Sequence, residues 1–131
     1  FWATWCAPCK REMPHLQAMW DRYRDQGLLV VGVSMDGPET VAQVAPFVAS
    51  RGFTFPVLLD EETRAVSLYN PHRSAPYVVL FGRDGRVAST REGYNAGDER
   101  ALEASVAELL ARGTPPPTTP APPAPPAAQT P

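Results

Sequence analysis

The stretch Phe1-Trp2-Ala3-Thr4-Trp5-Cys6-Ala7-Pro8-Cys9 restricts what this chain can do more than any other part of it. It joins an apolar, aromatic run to two thiols separated by two residues. Cys6 and Cys9 are the only cysteines among the 131 residues, so neither has another partner within the chain. A CxxC pair alone is compatible with redox or with metal chemistry. Its position between an aromatic run and a periodic helical segment favours a disulfide that opens and closes.

The spacing of the two cysteines suits thiol–disulfide exchange. This chemistry needs one thiol that is largely ionised near neutral pH and a second thiol that can resolve the mixed disulfide. A helix N-terminus provides unpaired N–H groups and a positive dipole end, which lower a cysteine pKa from ~8.5 toward ~7. Pro8 fits the first turn of such a helix, where its missing N–H costs nothing. We therefore expect Cys6 to be the exposed attacking thiol and Cys9 to be the partly buried resolving thiol.

A helix is predicted directly behind the motif. Gly27 marks its C-terminal end, and Pro14 is expected to kink it one to two turns after the cysteines. The apolar residues that recur at helical spacing are assigned to the core: Met13, Leu16, Met19, Trp20 and Tyr23.

The next segment predicts a buried strand followed by a helix. Residues 28–33 form a short, almost continuous apolar run that ends at the Asp36-Gly37-Pro38 turn. Apolar residues between 41 and 48 recur at helical spacing, and Pro46 is expected to bend or split this helix.

The rest of the chain continues the alternation of strands and helices, which is the pattern of an α/β sandwich. A short strand is predicted at 57–59, and Asp60 is the candidate N-cap of a helix that runs to Tyr69. Residues 77–81 and 86–92 flank Asp84-Gly85 and predict a hairpin. A last helix has an apolar face and ends at Gly113; the face consists of Leu102, Val106, Leu109 and Leu110.

The motif and its surroundings resemble the TlpA/ResA-type branch of the thioredoxin-like superfamily, with coverage from residue 1 to about residue 112. Ala75-Pro76 lies where that family carries a cis-proline. Residues 57–60 are similar to the family's central insertion, and 77–87 to the strand and turn that follow the proline. The positions that match the family's active-site pattern are Trp5, Cys6, Pro8, Cys9, Glu12 and Pro14.

The resemblance implies a thioredoxin-like fold, a central mixed sheet flanked by helices, and the activity of a thiol-disulfide oxidoreductase of the protein-disulfide reductase type. It implies that Glu12 lies near the cysteine pair and tunes its acidity; the alternative is a surface glutamate that pairs with Lys10 or Arg11. It also implies that Trp5 and Pro8 flank the approach of a substrate. The backbone at Ala75, preceding a cis Pro76, would then pair with the substrate chain.

Three departures from the family pattern are visible. The chain begins at Phe1, so we expect most of the strand that delivers the active site to be missing from this stretch. Tyr77 stands where the family carries threonine after the proline. The segment 69–75 is one residue longer than is usual. The last two departures affect the shape of the substrate groove rather than the chemistry.

Composition predicts one domain, residues 1–112, and a tail, residues 113–131. The tail contains nine of the 16 prolines and no charged residue, so it is expected to be extended and disordered. A net charge of −2 and scattered basic residues give no indication of nucleic-acid binding. No stretch is long enough to span a membrane, so membrane anchoring would have to come from a region before Phe1.

The resemblance also sets the expectations for partners. They are protein disulfide substrates, such as apocytochrome c or copper-site proteins, and an upstream thiol donor that resets the pair. No cofactor is expected besides the redox-active disulfide Cys6–Cys9, and no metal. We expect a monomer located outside the cytoplasm.

Three alternatives remain open at this point. A copper-handling module would bind Cu(I) through Cys6, Cys9 and His72. A non-catalytic interaction domain would use the proline-rich tail to recruit partners. A peroxidase of the peroxiredoxin type is disfavoured, because Ala3 stands where such enzymes place a threonine or serine, three residues before the cysteine.

Overall fold

In a computed structural model, residues 1–113 are described. The tail predicted for residues 113–131 lies, apart from Gly113, outside the described residues. Two short 3-10 turns occur at Arg24–Gln26 and Val41–Gln43. The regular elements are α1 (Ala7–Tyr23), β1 (Gly32–Ser34), α2 (Val44–Arg51), β2 (Val57–Leu59), α3 (Arg64–Tyr69), β3 (Tyr77–Phe81), β4 (Val87–Glu92) and α4 (Asp98–Ala111).

The strands form two pairs. β1 and β2 are parallel, with Gly32 opposite Val57. β3 and β4 form the antiparallel hairpin predicted around Asp84-Gly85, with Tyr77 opposite Glu92. The connection is a three-residue loop, Arg83-Asp84-Gly85, because Gly82 donates its N–H to the carbonyl of Arg86 (2.9 Å). Gly85 supplies the left-handed conformation that such loops require, with φ 79°.

Phe1 and Trp2 connect the two pairs of strands into one mixed arrangement. Trp2 donates its N–H to the carbonyl of Val33 (3.0 Å) and accepts from the N–H of Met35 (2.7 Å), which makes a parallel bridge to β1. Phe1 exchanges two backbone hydrogen bonds with Tyr77 of β3, at 2.7 and 3.1 Å. The lateral order is therefore β2, β1, Phe1-Trp2, β3, β4.

An apolar cavity of about 520 Å³ separates β1 from β3 beyond this bridge. Side chains from both strands and from α1 and α4 line it, including Leu16, Val30, Val79 and Val106. The strand predicted at 28–33 was too long, because only its last two residues belong to β1. Residues 28–31 border the cavity and pair with no strand in the described part of the chain, which is why β1 is so short.

The hydrophobic core lies directly beneath the CxxC turn. Trp20 and Phe47 are partly buried and pack against it. The core cluster consists of Trp2, Ala3, Cys6, Cys9, Met13, Val44 and Phe55. The two thiols are thus part of the core rather than an addition to its surface, so the packing of the domain fixes their positions.

The helix ends follow the predicted signals, except that α1 ends before Gly27 and Pro46 does not interrupt α2. α1 ends at Tyr23 and a 3-10 turn carries the chain to Gly27, whose φ of 109° is readily adopted only by glycine. α1 continues through Pro14 as one helix. Pro46 does not split α2: it is the third residue of that helix, where a missing N–H leaves no bond unmade, and the irregular turn precedes it.

The start of α3 is also different from the prediction. Thr63, not Asp60, occupies the N-cap position, with φ 54°. Asp60 nevertheless accepts hydrogen bonds from the N–H groups of Ala65 (3.1 Å) and Val66 (2.8 Å). It therefore performs the capping role from four residues before the helix begins. None of the helices in residues 1–113 combines the length and apolar character needed to cross a membrane.

Candidate active site

Cys6 and Cys9 form a disulfide across the first turn of α1. Their Cα atoms are 5.3 Å apart. Cys6 is the N-cap residue, and its sulfur accepts a hydrogen bond from the N–H of Cys9 at 3.3 Å. Pro8 lies in the first helical turn, and no acidic residue is found in that turn. A reduced Cys6 would therefore face free N–H groups and the positive end of the helix dipole, both of which stabilise a thiolate.

Both cysteines are buried in this oxidised form. Cys6 is 4% exposed and Cys9 is 1% exposed. Cys9 is buried more fully than predicted, and its role as the resolving thiol stays a prediction, whereas the prediction that Cys6 is exposed was wrong. The reason is that Cys6 belongs to the core cluster and its sulfur turns inward to bond Cys9. Trp5, immediately before it, is 61% exposed and presents an apolar surface beside the disulfide.

A buried carboxylate fixes the loop that leads into Cys6. Asp36 follows β1 and is 2% exposed. It accepts the backbone N–H of Thr4 (3.0 and 3.2 Å to its two oxygens) and the hydroxyl of the same residue. The hydroxyls of Ser34 and Thr40 donate to it as well, both at 2.7 Å. The end of β1 and the start of the active-site turn are thereby held together.

These contacts decide the ionisation of Asp36. Burial alone would raise the pKa of its carboxyl, but the hydrogen bonds from Thr4, Thr40 and Ser34 outweigh burial and lower the pKa below its ordinary value. Asp36 is therefore a buried anion that accepts hydrogen bonds from Thr4, Ser34 and Thr40.

The Ala75–Pro76 peptide bond is cis, as predicted. Pro76 is buried and, like Cys9, lines the apolar cavity. Ala75 packs against the core cluster that contains both cysteines. The preceding loop is closed by Asn70, which is fully buried; its side chain bonds the carbonyl (2.8 Å) and N–H (3.0 Å) of Ser74.

Glu12 lies one turn after Cys9 on the same face of α1 and is 2% exposed. It forms an ion pair and hydrogen bond with Arg91 of β4. The surface alternative, in which Glu12 pairs with Lys10 or Arg11, is therefore wrong. Burial raises the pKa of Glu12, and Arg91 opposes that rise.

His72, the third ligand of the copper alternative, pairs with Glu92 at 2.8 Å on the exposed surface. Among residues 1–113 there is no cluster of three or more histidine, cysteine, aspartate or glutamate side chains suited to a metal ion. Copper binding stays a hypothesis without a geometric observation in its favour. Ala3, which disfavours the peroxidase alternative, is fully buried.

Three residues of the site were not predicted from sequence: Asp36, Asn70 and Arg91. Asp36 was assigned only to a turn, although an acidic residue directly after a buried strand is a usable signal for a buried carboxylate. Arg91 lies in a strand with exposed neighbours, so it has the pattern of a surface charge. Asn70 had no signal, because its role depends on a loop that closes only in the folded chain.

Comparison with known proteins agrees with this geometry. Residues 1–90 match the AhpC/TSA family. The chain is 32% identical over 93 residues to thiol-disulfide oxidoreductase ResA of Halalkalibacterium halodurans, covering 71% of this chain and 51% of that protein. It is 45% identical over 69 residues to ResA of Oceanobacillus iheyensis, covering 53% of this chain and 35% of that protein. The chain spans about half the length, or less, of these curated relatives.

The three-dimensional comparison confirms the thioredoxin-like fold. A Chlorobium tepidum protein, described as a candidate thiol:disulfide interchange protein DsbE, superimposes with a TM-score of 0.77 at 30% identity. The match covers 84% of this chain and 76% of that chain. The resemblance to ResA-type proteins, drawn from the CxxC motif and Ala75-Pro76, is thus confirmed by sequence and by structure.

Proposed function

This chain belongs to the AhpC/TSA family, and from its similarity to ResA-type thiol-disulfide oxidoreductases within that family match we propose that it is a thiol-disulfide oxidoreductase that reduces protein disulfides. One observation carries the proposal. Cys6 and Cys9 form a disulfide at the N-terminus of α1, with the N–H of Cys9 directed at the sulfur of Cys6. A disulfide in this position would add little to the stability of the fold, because it closes a loop of very few residues. A redox couple gains a stabilised thiolate.

The proposed cycle begins with the reduced pair. The Cys6 thiolate attacks one sulfur of a substrate disulfide and forms a mixed disulfide, and the other substrate sulfur leaves as a thiolate. Cys9 then loses its proton and attacks the sulfur of Cys6. The Cys6–Cys9 disulfide forms and the substrate departs with both of its sulfurs reduced. Two electrons have moved from the cysteine pair to the substrate, whose thiolates are protonated from the surroundings.

The residues around the disulfide suit an extended protein substrate. Trp5 offers exposed apolar surface next to Cys6. Pro8 shapes the turn between the two thiols. The backbone at Ala75, before the cis Pro76, would pair with the substrate chain in the manner of an added strand.

We extend the proposal to the partners of the reaction. After each turnover, a thiol donor upstream of this protein reduces Cys6–Cys9 again, and no further cofactor takes part. We place the activity outside the cytoplasm, as the ResA-type resemblance implies and as the persistence of client disulfides in oxidising compartments requires. The protein acts as a monomer.

Trapping of the mixed disulfide tests the activity. A Cys9→Ser variant, reduced and mixed with a disulfide-containing protein such as insulin, should accumulate an adduct through Cys6 that is visible by intact mass. Cys6→Ser is the matched control and should form little adduct, because Cys6 and not Cys9 occupies the N-cap position of α1, where a thiolate is stabilised. If neither variant forms an adduct while the wild type leaves insulin oxidised, the proposed function is wrong.

A redox titration of the wild type then fixes the direction of electron flow. A midpoint near that of thioredoxin, ~−270 mV, would establish a reductase, whereas a midpoint near that of DsbA, ~−120 mV, would make the protein a disulfide donor. We expect the first result.

A further inference from the structure

Arg91 is the one basic side chain that contacts the buried Glu12 in residues 1–113. The two residues are 79 positions apart and come from different elements, α1 and β4. Glu12 is 2% exposed and Arg91 23% exposed, so the pair is shielded from water on the side of the glutamate. A carboxylate at this depth would be protonated without a partner, since burial strongly disfavours its charged form.

Arg91 is itself held in place. It donates to the carbonyl of Gly93, and its guanidinium lies 5.8 Å from the centre of the Tyr94 ring. Asp98, in the first turn of α4, is 3.7 Å away. Arg91 is therefore fixed by contacts besides the one with Glu12, and its guanidinium is held against the Glu12 carboxylate.

Glu12 in turn lies beneath Cys9. The two residues are three positions apart on α1, which places their side chains on one face of the helix, and both line the same cavity. Cys9 must lose a proton before it can resolve the mixed disulfide. A carboxylate one turn away can accept that proton only while it is ionised.

We propose that Arg91 is a positioning residue for the redox reaction: by its ion pair it holds the Glu12 carboxylate beneath Cys9 and favours the form that can accept a proton, and so it sets the pH range in which the mixed disulfide is resolved. The inference rests on the proposed function. In the resolving step, the Cys9 S–H proton passes to the Glu12 carboxylate as the Cys9 sulfur attacks Cys6. The departing substrate thiolate later takes up a proton, so charge and protons balance.

The charges around Glu12 determine the direction of the effect. Arg91 from β4 favours the anionic form of Glu12, and Asp98 from α4 opposes it. The Phe1 amino group also favours the anion, but burial lowers its own pKa to about 6, so it is charged only at the acid end of the range tested below. The pKa of Tyr94 is raised by its hydrogen bond to Glu99, so Tyr94 is uncharged near neutral pH. Removal of the Arg91 charge therefore favours the protonated form of Glu12, which cannot accept the proton of Cys9.

The test is the pH dependence of the resolving step. The reduced full chain is mixed with an excess of oxidised glutathione between pH 5 and pH 9, and formation of the Cys6–Cys9 disulfide is followed by acid quenching and mass. Arg91→Met should move the acid limb of the rate profile upward by at least about one pH unit, a tenfold loss of rate at a fixed pH on that limb. Arg91→Lys should largely restore the wild-type profile.

Two further variants separate the proposed route from other effects. Arg86→Met removes the same charge from an exposed position of the same hairpin and should leave the profile unchanged. In a Glu12→Gln background, Arg91→Met should cause little further shift. Arg91→Met alone leaves a buried carboxylate unpaired and can destabilise the fold. The Glu12→Gln, Arg91→Met double variant removes that unpaired charge, and Arg91→Lys retains a partner for Glu12, so both still test the role of Arg91 if the single variant does not fold.

The outcomes distinguish this inference from the proposed function. If the wild type does not exchange disulfides at all, the proposed function fails. If the wild type exchanges but Arg91→Met retains the wild-type profile, only the role of Arg91 is overturned. The same holds if the full shift persists in the Glu12→Gln background, because Arg91 would then act without Glu12.

Discussion

Substitution of Asp36 by asparagine tests how the active-site turn is anchored. The carboxylate of Asp36 accepts from the N–H and hydroxyl of Thr4 and from the hydroxyls of Ser34 and Thr40. An asparagine side chain at this position would keep one acceptor oxygen and place an amide donor where the second oxygen now receives the Ser34 hydroxyl and the shorter contact of the Thr4 N–H, which would keep only its 3.2 Å contact with the first oxygen. Asp36→Asn nearly preserves the shape of the side chain. A change in the free energy of unfolding therefore measures the loss of the negative charge and of one hydrogen-bond acceptor.

The magnitude follows from the hydrogen bonds that change. A bond to a charged group contributes about 1.5–3 kcal/mol, whereas a neutral one contributes about 1 kcal/mol. Asp36→Asn loses one charge-assisted bond outright and converts the others into neutral ones, while the Ser34 hydroxyl recovers part of the loss by accepting from the new amide. We expect the free energy of unfolding to fall by about 3 kcal/mol at pH 7.

The pH dependence gives an independent check. The pKa of Asp36 is lowered in the folded protein, so its contribution to stability is fully present above the ordinary aspartate pKa of about 3.9. It is lost as the pH falls through the lower folded-state pKa. The difference between the wild type and Asp36→Asn should therefore be constant from pH 7 to pH 5 and should shrink below about pH 4.

Urea unfolding of the oxidised full chain, followed by tryptophan fluorescence at pH 7, 5, 4 and 3, makes the measurement. Asp84→Asn is the matched control, because Asp84 is exposed and accepts only the N–H of Arg86; it should change stability by less than about 0.5 kcal/mol. A loss under about 1 kcal/mol for Asp36→Asn at pH 7, or a loss of equal size at pH 3, would refute the reasoning.

Other substitutions test the substrate face, the core and the copper alternative. Trp5 is 61% exposed, so Trp5→Ala should leave the free energy of unfolding within about 0.5 kcal/mol of the wild type. It should slow exchange with insulin but not with oxidised glutathione, and equal slowing with both would contradict a role in protein recognition. Met13 is 2% exposed in the core cluster, so Met13→Ala should cost about 2–5 kcal/mol in urea unfolding; under about 1 kcal/mol would mean that the neighbouring cavity absorbs the change. His72→Ala should not alter Cu(I) affinity measured against a chromophoric chelator, since His72 pairs with Glu92; a weakened affinity would restore the copper hypothesis.

Local signals in the sequence predicted the local structure well. The hairpin follows from Asp84-Gly85 between residues 77–81 and 86–92, and the end of α4 follows from Gly113, whose φ is 76°. α1 and the position of Cys6 at its start follow from the CxxC motif and the apolar spacing behind it. These features depend on residues close together in the chain, so a linear pattern contains the necessary information.

Predictions failed where a distant segment decided the outcome. The strand at 28–33 shortened to β1 because residues 28–31 border a cavity rather than a neighbouring strand. Asp60 is a local exception: it caps α3 from outside the helix because the turn before α3 brings it back to N–H groups five and six residues on. Cys6 is buried because the core closes over the disulfide.

The sequence by itself determined the chemistry available to this protein: two thiols, their spacing, and a helix that begins between them. Only the tertiary structure decided how that chemistry is controlled. Glu12 meets Arg91 across 79 residues, and Asp36 meets Thr4 across 32. The local pattern identifies the partner in neither contact, because both depend on strands and helices that become neighbours only after the chain has folded. A carboxylate's pKa depends on the burial and the charges around it, and folding supplies both.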